Sequence, residues 1–446
     1  MKRVLVLGAG LVSRPLVNYL SDREGFAVTV ATRTVSKAEA LVAGRSRGRA
    51  VPLDVTDDAA LGRLVGEHDL AVSLLPATEH ARVARHCLSC GKHMATTSYI
   101  SAEMKALDSE ARSRGLTFLN ECGVDPGIDH MAAMRVIHGA EGKGGKVVAF
   151  RSYCGGLPAP EANTNPIGYK FSWAPRGVLV AATNAARYME QGQIVEVPGS
   201  ELFASPEIVE VAGAGRFEGY PNRDSLEYID LYGLRDIRTM FRGTLRHMGH
   251  CETWYHWVKL GLFSREVRSD LGGMTCAGFM RSFVPGSSGD PKEVIARKMG
   301  LPVSHPAVSK LAWLGMFDES PLPVAGGGNV DVMAAVMLEK CRFSPGERDL
   351  LVQRHEFVIE YPRGKEAVSS TMVDFGIPGG DSAMARTVSL PVAIGARMIL
   401  EGRLARRGVV APVLPDIYDP ILNELKTLGI ALEERVEQVP PQPRPD

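Results

Sequence analysis

The chain has 446 residues, too many for one ordinary core, so two or more domains are expected. Apolar residues make up 45% and charged residues 23%, an ordinary globular composition, and 51 Lys and Arg balance 51 Asp and Glu. A balanced chain gives no support for a nucleic-acid surface or an acidic-membrane binder. The seven cysteines, at 87, 90, 122, 154, 251, 276 and 341, form no regular framework and read as reduced thiols. The start, MKRVLVLGAGLV, has the basic end and apolar run of a signal peptide, but the run is short and SRPLVNYL continues it as a helix. A cytoplasmic protein is expected. No apolar run reaches about 18 residues, so no membrane span is expected.

RVLVL (3–7) reads as a buried strand, GAGLVS as a glycine turn and RPLVNYLSDRE as an amphipathic helix. Gly8 permits the tight turn, and Gly10 lets backbone approach a pyrophosphate at the helix N-terminus. Ser13 takes the third fingerprint position, where a small residue is needed. Strands FAVTVAT, GRAVPLDV, DLAVSLLP, HMATTSY and LTFLNE then alternate with helices SKAEALVAG, DDAALGRLVGE, TEHARVARHCLSCG and SAEMKALDSEARSRG. That alternation predicts an α/β fold with a doubly wound parallel sheet. Cys87 and Cys90 lie three apart on one of these helices, and no second pair completes a zinc site, so no metal is expected.

At the end of the second strand an NAD enzyme usually carries Asp or Glu for the ribose 2′-hydroxyl. Here the segment reads ATRTVSK, and Arg33 with Lys37 suits a 2′-phosphate, so NADP(H) is the expected cofactor. In open α/β sheets ligands bind beyond the C-terminal strand ends, here SLLP (73–76), TTSYIS (96–101) and NECGVDPGIDH (120–130). Ser98 and Tyr99 offer hydroxyls. Asp125 precedes a proline and is biased away from helix. Asp129 reads as a helix-start residue.

From 127 to 390 helices and strands mix without strict alternation. KVVAFRSYC and the pair HEFVIEY and AVSSTMVDFG read as strands, the pair as a hairpin. NVDVMAAVMLEKC is a helix, and MARTVSLPVAIGARMILEG is another, interrupted at Pro391. RHMGHCETWYHW (246–257) fits no zinc spacing and reads as a surface or packing helix. Behind SYCGGLPAPE (152–161), ANTNPIGYKFSW has no clean helical or alternating pattern, and Cys154 could be a reagent, a site-lining thiol or filler.

VLVLGAGLVSRPLVNYL, TVATRT, TTSYIS, NECGVDPGIDH, SYCGGLPAPE, YKFSW, YPNRDS and FRGTLRHMG together resemble the saccharopine dehydrogenase family of the NADP-linked, L-glutamate-forming type. The resemblance implies a Rossmann domain (1–126), an inserted mixed α/β domain for substrate binding and dimerisation (127–390) and a C-terminal return (391–435), with 436–446 a disordered tail. It implies the interconversion of saccharopine with L-glutamate and aminoadipate semialdehyde through an imine and a nicotinamide hydride, in lysine metabolism; a homodimer is expected separately, because an α/β domain with an exposed sheet often dimerises. Cofactor contacts are expected at Gly8, Gly10, Leu11, Val12, Arg33, Thr34, Asp54, Val55, Leu75, Thr97, Ser98, Val124 and Lys170. Substrate contacts are expected at Ser98, Tyr99, Asp125, Arg223, Thr244 and Arg246, with Asp125, Cys154 and Tyr99 as the polar groups at the reacting carbon.

Saccharopine carries three carboxylates, and the planar fork of arginine suits each of them. Arg223, Arg242 and Arg246 are the candidates, and Arg242 reads also as a structural ion pair. Two other readings stand beside this one. The first is a related reductase of another amine–semialdehyde pair, such as a carboxynorspermidine synthase. The second is an NADPH-binding regulatory protein without catalysis.

Overall fold

The computed structural model describes residues 1–23 and 25–439. The chain divides into two compact units: Met1–Lys146, Ile359–Lys365 and the stretch from Gly380 form one, and Val147–Val358 with Glu366–Gly379 form the other.

In the first unit, strands β1 (Arg3–Leu7), β2 (Ala27–Thr32), β3 (Gly48–Pro52), β4 (Leu70–Ser73), β5 (His93–Thr96) and β6 (Thr117–Leu119) join a return strand, Gly408–Val410. All pair in parallel, in the order return strand-β6-β5-β4-β1-β2-β3. The apolar runs are buried by helices, as in Val4, Leu5 and Val6 of β1, which have no exposed surface. Strand order reverses between β1 and β4, so their C-terminal ends open the crevice in which such sheets bind ligands. Local signals set the helix ends. Asp57 caps Asp58–Gly66 by accepting from Ala60 N, and Gly91, left-handed, stops His80–Cys90.

Several expectations need correction. The helix expected over 101–115 is two, Ala102–Lys105 and Asp108–Ser113. Leu107 N bonds back to Met104 O, a tightened turn that lets both Met104 and Ala111 face the core. Pro391 does not interrupt its helix, which runs unbroken over Ala383–Leu400. This helix is also long and, on average, apolar enough to cross a membrane, but 83% of it is buried inside the protein as a core element. Gly395 makes its approach to β6 possible, since a Cβ there would lie 2.5 Å from Leu119 Cδ2. Helix Ile128–Glu141 groups with the first unit, tied to the return by His138 Nδ1 and Tyr418 Oη at 2.8 Å. The crossing therefore falls at 146/147, not 126/127, and the return begins at Gly380, not 391. Of the expected tail, 436–439 belongs to a strand, Glu433–Val439, and 440–446 lies outside the described residues.

The second unit is built on β7 (Lys146–Pro158), β8 (Ala186–Glu190), β9 (Gln193–Val197), β10 (Glu207–Val211), β11 (Gly215–Pro221) and β12 (Thr239–Arg246), continued by the hairpin Asp349–Tyr361/Gly364–Phe375, whose tip, 359–365, groups with the first unit. The sheet is mixed: β12 runs parallel to β7, while β10, β11 and β12 are antiparallel neighbours. One face packs Tyr153, Leu157, Phe217, Phe241 and Leu245 into a core. The strand expected over KVVAFRSYC runs on through Pro158, so the stretch 152–161 is mostly strand, with both faces of β7 largely covered. Gly155 serves packing, since a Cβ there would meet Leu245 Cβ at 2.7 Å. Helix His250–Leu260 is a packing helix with Trp254 and Trp257 buried.

Candidate active site

The glycine turn after β1 is closed by its own side chain. Ser13, fully buried, accepts from Gly10 N at 3.0 Å and donates to Gly8 O at 3.2 Å. Gly8 sits at φ +107°, and a Cβ would lie 3.1 Å from Leu74 O. Gly10 is exposed, with nothing within 4 Å of where a Cβ would stand. Leu11, 66% exposed, and the half-buried Val12 complete the turn. A rigid turn with open space at Gly10 fits a dinucleotide pyrophosphate.

At the neighbouring strand ends, Arg33 and Thr34 follow β2 and are exposed, while Asp54 and the half-buried Val55 follow β3. Arg33 makes no hydrogen bond or ion pair among the described residues, so its guanidinium remains available. Asp54 is held by Thr56, whose N and Oγ1 donate to Oδ1 at 3.0 and 2.8 Å. These bonds, and the charge of Arg33, hold its carboxyl below the usual range.

Beyond β4, β5 and β6 the polar groups are chained together. Ser73 Oγ lies 2.9 Å from His80 Nδ1, and His80 Nε2 lies 2.7 Å from Ser98 Oγ. Burial drives the His80 imidazole down to about 4, so it is neutral at physiological pH. Tyr99 Oη donates to Asp125 Oδ1 at 2.8 Å, so two expected site residues are joined. Asp125 stands in a tight turn closed by Gly123 N on Pro126 O at 2.9 Å, and a Cβ on Gly127 would strike Gly123 O at 2.0 Å. Val124 is buried in this turn, and Thr97 Cβ approaches Gly123. Leu75 is half-buried after β4. Asp129 does start the helix: its Oδ1 accepts from Gly127 N and His130 N at 2.5 and 2.8 Å.

The second unit carries its candidate residues on the sheet face opposite that core. Cys154, Thr244 and Tyr220 are register partners across β7, β12 and β11, and Arg242 and Arg246 follow on the same face of β12 by strand alternation. Arg246 is 7% exposed. Its guanidinium lies over Tyr169 at 5.2 Å and donates from Nη1 to Leu245 O at 2.8 Å, yet Nε has no acceptor and no carboxylate pairs with it among the described residues. Its cross-strand neighbour Glu218 spends both oxygens on Gly249 N and Cys251 N, at 2.8 and 2.7 Å, capping helix His250–Leu260. Burial works against the charge of Arg246, but Tyr220 and Tyr169 favour it, and the net direction is upward. A buried cation without an anion is a receiver for one.

Arg223 is exposed just after β11 and adopts φ +58°, a left-handed backbone that arginine seldom takes. Arg242 is buried and donates to Tyr228 Oη at 2.5 Å with its Cζ 4.1 Å above that ring. Lys170 was expected among the cofactor contacts. The structure holds its ammonium on both oxygens of Glu347 at 2.6 Å, 4% exposed, which makes it a structural ion pair. No disulfide joins the cysteines among the described residues, and there is no three-residue metal-ligand cluster. Sequence reasoning missed His80, quoted within its helix but given no role, and Glu121, quoted within its loop but given no role.

A dinucleotide turn with an uncommitted arginine at the second strand end is the cofactor half of a dehydrogenase, and the second unit by itself offers a sheet face bearing a thiol, a threonine and an unpaired buried arginine. Residues 4–119 match the model of the saccharopine dehydrogenase NADP binding domain, and 123–430 that of the saccharopine dehydrogenase C-terminal domain. The chain belongs to the saccharopine dehydrogenase family. It is 39% identical, over 98% of its length and 99% of the relative's, to saccharopine dehydrogenase (NADP(+), L-glutamate-forming) of Pyricularia oryzae. It is 37% identical over 96% of its length to the mitochondrial α-aminoadipic semialdehyde synthase of Mus musculus, of which the match covers 47%. Apo saccharopine dehydrogenase (L-Glu forming) from Saccharomyces cerevisiae superposes with a TM-score of 0.89 at 37% identity, covering 98% of this chain and 100% of that one. A homospermidine synthase from Legionella pneumophila shares the fold alone, with a TM-score of 0.59 at 11% identity over 100% of this chain and 93% of that one.

Proposed function

We propose that this protein interconverts saccharopine, NADP⁺ and water with L-glutamate, L-2-aminoadipate 6-semialdehyde, NADPH and a proton, within lysine metabolism. The observation that carries the reading is Arg246, a buried guanidinium lacking a carboxylate partner among the described residues, beside Thr244 and Cys154. Full-length similarity to L-glutamate-forming enzymes supports the same substrate. The alternative amine–semialdehyde chemistry has only a neighbour at 11% identity, which speaks for fold and not substrate. A regulatory protein without catalysis would leave the Tyr99–Asp125 pair and Arg246 without a purpose.

The glycine turn holds the pyrophosphate, and Arg33 meets the 2′-phosphate. When bound, the nicotinamide supplies the hydride acceptor. Substrate carboxylates fall to Arg246 and Arg223, with Thr244 donating a hydroxyl. In the oxidative direction the secondary amine must lose a proton, and we assign that proton to the Asp125 carboxylate, a reading supported by its hydrogen bond from Tyr99. Water then adds to the imine carbon of the oxidised substrate, and C–N cleavage releases glutamate and the semialdehyde. Cys154 shares the sheet face of Thr244 and Arg246 and is assigned a lining role there. Ser98, oriented by neutral His80, offers a further hydroxyl.

The direct test is growth of reduced-nicotinamide absorbance with saccharopine and NADP⁺, alongside NAD⁺. A faster rate with NADP⁺ is expected, and no rate with either cofactor would overturn the reaction. A homodimer is proposed on the exposed apolar residues Ile194 and Ile208 of β9 and β10, and light scattering tests it. A cytoplasmic location is proposed on seven cysteines without a bridge, and cell fractionation tests that.

A further inference from the structure

Glu121 lies in the loop between β6 and helix Ile128–Glu141. Its φ is +55°, which makes it one of three non-glycine residues with positive φ among the described residues. That conformation is disfavoured for glutamate and persists only where surrounding contacts impose it. The contacts are specific. Glu121 Oε1 accepts from Ile100 N at 2.8 Å, and Oε2 lies 2.8 Å from Nε2 of His130, whose side chain is fully buried. The backbone N of Glu121 donates to Ser98 O at 3.0 Å. Main chain and side chain of one residue thus grip both neighbours of Tyr99. The Tyr99 hydroxyl in turn donates to Asp125 Oδ1 at 2.8 Å.

A buried carboxylate–imidazole pair is weak evidence for stability, because apolar residues of similar volume often serve as well. A left-handed glutamate adds a second cost at the same residue. Both fall where the tripeptide Ser98–Tyr99–Ile100 must be held. We propose that Glu121, anchored by His130, is a positioning residue that fixes this tripeptide so that the Tyr99 hydroxyl stays on Asp125. The catalytic part of this inference rests on the proton-handling pair of the proposed function, whereas the grip on the loop stands apart from it.

The test uses Glu121→Ala and Glu121→Gln in the full chain, with two readouts. Amide exchange of the segment 97–103 should rise about tenfold or more in Glu121→Ala while exchange in other segments of the first unit is unchanged. Turnover of saccharopine should fall about tenfold or more, and Glu121→Gln, which keeps an acceptor for Ile100 N–H, should recover part of both losses. In a Tyr99→Phe background, Glu121→Ala should lower turnover less than about twofold, because the contact it maintains is already gone. A full loss in both backgrounds, or unchanged exchange of the segment, would overturn the proposal. If the alanine variant does not fold, the glutamine variant decides by the same readouts. If the wild type does not turn over saccharopine, the reaction assignment fails, and exchange of the segment still decides whether Glu121 holds it.

Discussion

Replacing Arg246 by methionine separates a substrate-receiving cation from a structural one by sign. The guanidinium is buried, its Nε lacks an acceptor, and its near neighbour Glu218 is committed to two amides. Holding one ion out of water costs several kcal/mol after relaxation. Against that, the contact with Tyr169 at 5.2 Å returns about 1 kcal/mol. The charged bond to Leu245 O returns about 2 kcal/mol more. A methionine of similar length loses both contacts and removes the desolvation cost. Ligand-free protein should therefore be unchanged or up to about 3 kcal/mol more stable, read as an unchanged or raised unfolding midpoint. Activity should move the other way. A carboxylate received by two charge-assisted bonds, at roughly 1.5–3 kcal/mol each, is worth about 3–6 kcal/mol. Its loss lowers kcat/KM for saccharopine by about 10²–10⁴-fold. Steady-state rates and thermal unfolding on one preparation check both arms. A variant with a lowered midpoint and wild-type kcat/KM would refute the reasoning and make Arg246 a structural residue.

Arg33→Asp should weaken NADPH by at least about tenfold relative to NADH, since the 2′-phosphate then meets a carboxylate in place of a guanidinium, and dissociation constants for the two cofactors check it. His80 gives a pH dependence. Its folded value of about 4 lies below the ordinary 6.5, so as pH falls through that window the unfolded chain takes up a proton that the native state refuses. Stability from this group is intact above about pH 6.5 and drops by about 3 kcal/mol toward pH 4, and His80→Gln should flatten that part of a denaturant-midpoint profile. Cys154→Ser should lower kcat by less than about tenfold if the thiol lines the site, while a collapse of turnover with an unchanged circular-dichroism spectrum would give it the proton.

The nucleotide half was legible in the sequence because its signals are local. Alternating apolar strands and amphipathic helices, the glycines at 8 and 10, and Arg33 at a strand end each depend on neighbours a few residues away. Tyr99 and Asp125 could be nominated the same way from the strand ends that carry them. The resemblance to a known family supplied Arg223, Thr244 and Arg246, which no spacing rule would have chosen.

Tertiary structure decided the rest, because the deciding partners are remote in the chain. Lys170 meets Glu347, 177 residues away, and a lysine that looks available in YKFSW becomes a buried ion pair. Arg246 lacks an anion because Glu218, its register partner on β11, turns both oxygens to a helix N-terminus. The apolar helix Ala383–Leu400 is a core helix, which composition cannot distinguish from a membrane span. Burial of His80 lowers its proton affinity, while the sequence shows only a histidine at a helix start. Residue types at strand ends mark where a ligand binds by short-range rules, but charge pairing and desolvation are set only when distant strands come into register.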